Sequence, residues 1–163
     1  MTQGSLNILV QIFPDFKLLE PADKLLLKAA RTATENAYAP YSRFRVGAAT
    51  RLANGQIITG SNQENASFPA GICAERVTLS AASSVYPGIA ITDLALSYTN
   101  ESDTSNRPVS PCGICRQTLC EYEQRFGRSI RLILGGISGE IYVFSRATDL
   151  LPFAFGSQEL KRH

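Results

Sequence analysis

Phe68-Pro69-Ala70-Gly71-Ile72-Cys73-Ala74-Glu75-Arg76 decides how the chain is read. Pro69 and Gly71 break the preceding pattern, and a helix is expected to open at Cys73, with Val77, Ala81 and Val85 on one face and Pro87-Gly88 at its end. A thiol therefore sits at a helix N-terminus, two residues ahead of a carboxylate. Downstream, Ser110-Pro111-Cys112-Gly113-Ile114-Cys115-Arg116-Gln117 places a second pair of thiols behind a proline. There a second helix is expected, with Cys115, Leu119, Tyr122 and Phe126 on its inner face and Gly127 as its stop. Unpaired amides at a helix start favour a thiolate, the form that zinc needs.

Around these two segments the chain alternates helices with strand-like runs. Glu20-Pro21-Ala22-Asp23 starts a helix carrying Leu26, Ala30, Ala33 and Ala37 as far as Pro40. Phe44 to Leu52 and Gln56 to Asn62 flank Ala53-Asn54-Gly55, whose Asn-Gly pair signals a hairpin. Further strands are expected at 91–98, 130–134 and 140–144, and the alternation Leu6, Ile8, Val10, Ile12 allows another strand or a packed arm at the start. The polar stretch from Thr99 to Pro108 reads as a loop. These elements predict an α/β fold, a layered α/β/α domain with a mixed central sheet of about five strands. Residues 21–163 are expected to form one catalytic domain and residues 1–20 an N-terminal extension.

Composition narrows the function. The 163 residues, 44% hydrophobic and 18% charged, suit one globular domain. Sixteen basic against fourteen acidic residues give a net charge of +2, far from the balance of a protein that grips phosphate backbones, so no nucleic-acid partner is expected. No apolar run reaches the ~20 residues of a membrane span, and Met1 to Phe13 has no basic export signal, so a cytoplasmic protein without a membrane partner is expected. Four cysteines are too few for a disulfide scaffold of this size, and a clustered CxxC points to metal or redox chemistry.

The ligand count favours a catalytic metal. Structural zinc sites are closed by four protein ligands, and catalytic ones use three and leave a position for water. The only histidine is His163, at the terminus, which leaves Cys73, Cys112 and Cys115 as the natural trio. Cys120 lies about 140° around the helix from Cys115 and is expected to face elsewhere as a small buried residue. Glu75 is placed to move protons rather than to bind metal, as hydrolytic deamination requires. Two other readings compete: a thioredoxin-like redox pair at Cys112 and Cys115, and a zinc-stapled interaction module with a fourth protein ligand.

The blocks Tyr38 to Ala49, Gly60 to Ala66, Cys73 to Arg76, Ser110 to Gln117 and Leu150 to Gly156 closely resemble the small cytidine deaminases, in that family's order and spacing. The resemblance implies hydrolytic deamination of cytidine and deoxycytidine by a zinc-activated water, in pyrimidine salvage. Cys73, Cys112 and Cys115 would hold Zn2+, and Glu75 would be the proton shuttle. Phe44 would stack on the pyrimidine, Asn62 and Glu64 would bind the ribose, and the Ala74 amide would meet the base carbonyl. Asn62 and Glu64 are also expected on one face of a strand, being two residues apart. Arg76 and Arg116 would offset the negative charge of three thiolates. Phe155 would reach a neighbouring subunit's site in a homotetramer. The alternative within the superfamily is deamination of another aminopyrimidine, such as a nucleoside antibiotic. Phe68 stands where family members often carry tyrosine.

Overall fold

A computed structural model describes residues 1–160. His163 lies outside the described residues. The chain forms β1 (Gln11–Phe13), α1 (Pro21–Ala33), β2 (Phe44–Leu52), β3 (Ile57–Ser61), α2 (Ala74–Val85), β4 (Ile91–Asn100), α3 (Gly113–Phe126), β5 (Arg131–Gly135) and β6 (Ile141–Phe144). The strands make one mixed sheet in the order β1-β6-β5-β4-β2-β3. Only β4 and β5 run parallel. Parallel neighbours need a crossover, and α3 supplies it.

The sheet has two apolar faces. On one, Leu26, Leu27 and Ala30 of α1 pack against Ala49, Ala95, Ile133, Ile141 and Val143. On the other, Ala74, Leu79 and Ala82 of α2 and Leu119 of α3 cover Ala48, Leu94, Leu96, Leu132 and Leu134. From Phe44 to Arg51 in β2 and from Asp93 to Asn100 in β4, odd-numbered residues thus face α1 and even-numbered ones face α2 and α3, as strand alternation requires; the register shift at Arg51 and Leu52 puts Ile91 on the α2–α3 side. Two glycines set the spacing. A Cβ on Gly47 would collide with the Ala30 carbonyl of α1, and one on Gly60 would press on Thr78 of α2. At one end of the α1 layer, buried Asp23 and Asp93 share Arg131, each at 2.9 Å, which ties α1 to β4 and β5.

The hairpin between β2 and β3 forms at Asn54-Gly55, with Gly55 at φ 84°, a left-handed value that glycine tolerates. The sheet has six strands rather than five, because the start of the chain adds β1 to β6. That strand spans three residues, not the whole alternating run from Ser5. Its partner β6 is only four residues long, so Leu6 to Val10 find no sheet to join and stay exposed.

Helix α1 ends at Ala33, before the expected stop at Pro40. The chain tightens into a 3₁₀ turn at Thr34–Asn36, and the Thr34 hydroxyl donates to the Arg31 carbonyl at 2.7 Å. Beyond it the Tyr38 backbone bonds to Asn62 and Glu64 instead of extending the helix. Helix α2 also presents a different face from the expected one. Ala74, Thr78, Leu79 and Ala82 are buried, whereas Val85 at the end of the expected Val77-Ala81-Val85 row is exposed. Val77 and Thr78 are the α2 residues that lie close over Gly60 of β3.

Candidate active site

Cys73 is the N-cap of α2, and Cys112 is the N-cap of α3, both with extended backbone and neither capped by its own side chain. The free amides of two helix starts therefore converge on one place. Cys115, one turn into α3, is fully buried beneath them. The sulfurs stand 3.8 Å apart for Cys73 and Cys112, and 3.5 Å for Cys112 and Cys115, and all three lie within 4.8 Å of one another. A tetrahedral zinc with sulfurs at about 2.3 Å sets them about 3.8 Å apart, so the trio fits the ion by spacing as well as by softness. Among the described residues no fourth His, Cys, Asp or Glu joins the cluster. Cys120 is buried outside it, beside Glu123, where burial raises its thiol pKa.

Charge within the trio is unevenly shared. A hydrogen bond from Cys115 pulls the Cys73 thiol down to about 6, helped by Cys112 and the Arg76 charge and opposed by burial. Cys115 moves the other way, held protonated by its bond to Cys73 and by burial. Glu75 is 5% exposed, and burial raises its carboxyl pKa, with the negative Cys73 adding to the effect. A carboxyl that resists ionisation next to a metal-ligand set is suited to taking up and releasing protons.

Beside Cys73 opens a cleft of about 500 Å³, lined by Tyr41, Ser42, Asn62, Gln63, Glu64, Asn65, Phe68, Gly71 and Ile72. Asn62 and Glu64 both line it, but they lie beyond the end of β3 at Ser61, so strand alternation is not what aligns them. Gln63 holds them there by bridging to Tyr38 and Ile72 on opposite sides. The Asn62 side chain continues the sheet edge: its Oδ1 accepts from the Val46 amide at 2.8 Å, and its Nδ2 donates to the Phe44 carbonyl at 2.9 Å. One N–H of that amide is left over. Glu64 accepts from the amides of Tyr41 at 2.8 Å and Ser42 at 3.3 Å, and the Ser42 hydroxyl does most to hold its carboxyl below the usual range.

The remaining residues singled out from the sequence are spread around this core. Phe44 opens β2 on the α2–α3 side, its ring stacked on Tyr98 at 4.9 Å, outside the lining of the cleft. Ala74 is the first residue of α2 and is fully buried. Arg76 lies near enough to Cys73 to bias its charge. Arg116 is committed to carbonyls: its Nε donates to Pro111 at 2.8 Å and its Nη1 to Leu150 at 2.9 Å, joining the Cys112 loop to the C-terminal tail. Phe155, 57% exposed, lies on that tail, and its carbonyl accepts from Gln117 of α3 at 2.7 Å.

Sequence reasoning passed over Tyr41, Gln63 and Tyr98. The first two stood inside the quoted blocks and carried no separate signal, because their contribution is backbone pairing and edge-on packing, as in the Tyr41–Phe68 contact at 5.9 Å. Glu123 was also unforeseen. A mid-helix glutamate, it is 8% exposed and accepts from the amides of Ile130, Ala147 and Thr148 at 2.7, 3.0 and 3.2 Å.

An α/β/α sandwich that delivers three thiols from two helix starts to one point, beside a buried glutamate and an open cleft, defines a zinc-dependent hydrolase of the deaminase class. Comparison with known proteins is specific. Residues 20–127 match the family described as the cytidine and deoxycytidylate deaminase zinc-binding region. The chain is 37% identical over 137 residues to the cytidine deaminase of Halalkalibacterium halodurans, covering 84% of this chain and 96% of the relative. It resembles the solved cytidine deaminase of Burkholderia pseudomallei with a TM-score of 0.69 and 38% identity, over 80% of this chain and 97% of the other. Blasticidin-S deaminase of Bacillus cereus is 34% identical over 59% of this chain and 71% of its own length. The chain belongs to the cytidine and deoxycytidylate deaminase family.

Proposed function

We propose that the protein deaminates cytidine and deoxycytidine hydrolytically, giving uridine or deoxyuridine and ammonia. The observation that carries this reading is the placement of buried Glu75 against three thiols spaced for zinc, one of which, Cys73, lines a cleft large enough for a nucleoside. Cys73, Cys112 and Cys115 would hold the ion, which when bound supplies the Lewis acidity that makes water a nucleophile at neutral pH.

Glu75 acts on protons throughout: it accepts one from the attacking water and delivers it to N3 of the ring, then accepts the second from the hydroxyl added at C4 and delivers it to the departing amine as the carbonyl forms. Burial favours the protonated form of this carboxyl, which suits the donating half of the cycle. The Ala74 amide at the start of α2 is unpaired by helix geometry and is aimed at the base carbonyl. Phe44 offers the pyrimidine the ring face not stacked on Tyr98. Glu64 and the remaining N–H of Asn62 take the ribose hydroxyls. Arg76 offsets thiolate charge at Cys73, and Arg116 fixes the loop that bears Cys112.

The exposed Phe155, on a tail fastened to α3, supports assembly as a homotetramer in which each tail completes a neighbour's cleft. Among the described residues no helix is long and apolar enough to cross a membrane, in keeping with a cytoplasmic salvage enzyme. Residues 21–163 make the catalytic domain, with residues 1–20 as an extension that lends β1 to the sheet.

The test is ammonia release from cytidine by zinc-loaded protein beside Glu75→Gln. The parent should turn over, and the variant should keep zinc and lose about 10³-fold in kcat, the scale of a general acid–base group. Comparable activity in both would remove Glu75 from the mechanism. The kinship with blasticidin-S deaminase favours one rival reading, an aminopyrimidine antibiotic as substrate. A zinc-loaded sample that turns over blasticidin S but not cytidine would establish it.

A further inference from the structure

The opposite side of the sheet holds a second cleft, of about 390 Å³, lined by Arg31, Thr32, Thr34, Glu35, Arg45, Thr99 and Ile137. It lies where the end of α1 crosses β2 and β4. Arg45 and Thr99 are register partners there, and both are odd-numbered residues facing α1, away from the thiols.

Among the described residues neither Arg31 nor Arg45 of this cleft makes an ion pair. Arg31 is held in place nonetheless: its guanidinium lies over the Phe16 ring at 4.7 Å, and its Nε donates to the Gly136 carbonyl at 3.0 Å. Asp15 is close enough to act on its charge but forms no salt bridge with it.

Two buried side-chain atoms find no hydrogen-bond partner among the described residues, Arg31 Nη2 and Ser97 Oγ. Both belong to this side. Ser97 pairs in register with Gly47, whose missing side chain faces Ala30 and Thr34 of α1. An unsatisfied buried polar atom is costly, so Arg31 Nη2, in the lining of the cleft, calls for an acceptor.

We propose that this reverse-face cleft binds a phosphate-sized oxyanion, with Arg31 and Arg45 as its charged ligands and Thr99 as a hydroxyl donor. The Arg31 guanidinium, fixed by stacking and by one backbone bond, has little side-chain freedom left to lose on binding a tetrahedral anion, and exposed Arg45 adds a second charge from the rim. Glu35 at the rim opposes the anion, which leaves the lining with one net positive charge from two arginines and one glutamate. Free phosphate and the phosphate of a sugar ester present the same chemistry to it.

The test is to titrate the zinc-loaded full chain with inorganic phosphate and with ribose 5-phosphate, using chloride at matched ionic strength as the control. Amide and arginine Nε resonances are followed by NMR, and Tm by calorimetry. Saturable shifts should centre on Arg31, Arg45, Thr99 and Ile137, Tm should rise, and Arg45→Gln should weaken binding about tenfold, equal to about 1.4 kcal/mol. Arg45 is exposed, so its variant folds even where Arg31→Gln, stripped of its stacking and carbonyl bond, does not. Tighter binding of ribose 5-phosphate would assign the site to an ester, and equal binding to free phosphate. Shifts that chloride reproduces, that centre on Cys73 and Glu64, or that Arg45→Gln leaves intact would overturn the proposal.

Discussion

The two faces of the sheet are built from the same materials and end differently. Under α1, leucines and alanines pack on Ala49, Ala95 and Ile133, and the charges of one end cancel among Asp23, Asp93, Arg131 and Arg51. Under α2 and α3 the packing is equally apolar, but both helices begin at one place, and each begins on a cysteine. One helix start gives a few free amides, as at the first turn of α1. Two starts meeting over a buried carboxylate give a site. What separates the faces is where the helices begin, since the burial on the two sides is alike.

The largest test of that contrast removes a ligand. Cys115→Ala should lose bound zinc and all measurable turnover while leaving the α1 face folded, measured by metal content and by amide exchange of β5 and β6. Full zinc retention would mean the trio is not the metal site. On the other face, Gly47→Ala sets a methyl against the Ala30 carbonyl and should cost about 1–3 kcal/mol in stability, read as a lower midpoint in urea. Zinc content per folded molecule should not change, and a joint loss of zinc and stability would show that the faces are not independent. A smaller effect is expected at Glu123→Gln on the site's own side. It removes one acceptor oxygen from three amides and should cost about 1 kcal/mol, loosening the segment at Ala147 and Thr148 more than the thiol cluster. Hydrogen exchange at those amides would register it.

The contrast also explains what could be read from the chain beforehand. Cysteine spacing and helix-start signals are local, so Cys73, Cys112 and Cys115 were legible as a trio, and Gly127 as a stop, here with φ 59°. The Asn54-Gly55 hairpin was legible for the same reason. Contacts made over long distances were not. Helix α1 stops at Ala33 because the next residues pair with Asn62 and Glu64, far along the chain, and β1 is short because β6 is short. The buried face of α2 was misread because Val77, Ala81 and Val85 look like a core row, whereas the helix turns Ala74, Leu79 and Ala82 onto the sheet and leaves Val77 against Gly60 at the β3 edge. Nor was it legible that the Asn62 amide, read as a ribose ligand, also bonds the β2 backbone through its Oδ1 and Nδ2.

The central claim is that three thiolates from two helix starts hold one zinc and leave a fourth position open, which separates a hydrolase from a closed structural site. X-ray absorption at the zinc edge tests it directly on protein carrying one metal per chain. The account predicts three sulfur neighbours at about 2.3 Å and one lighter atom. Four sulfurs, with Cys120 drawn in, would contradict it.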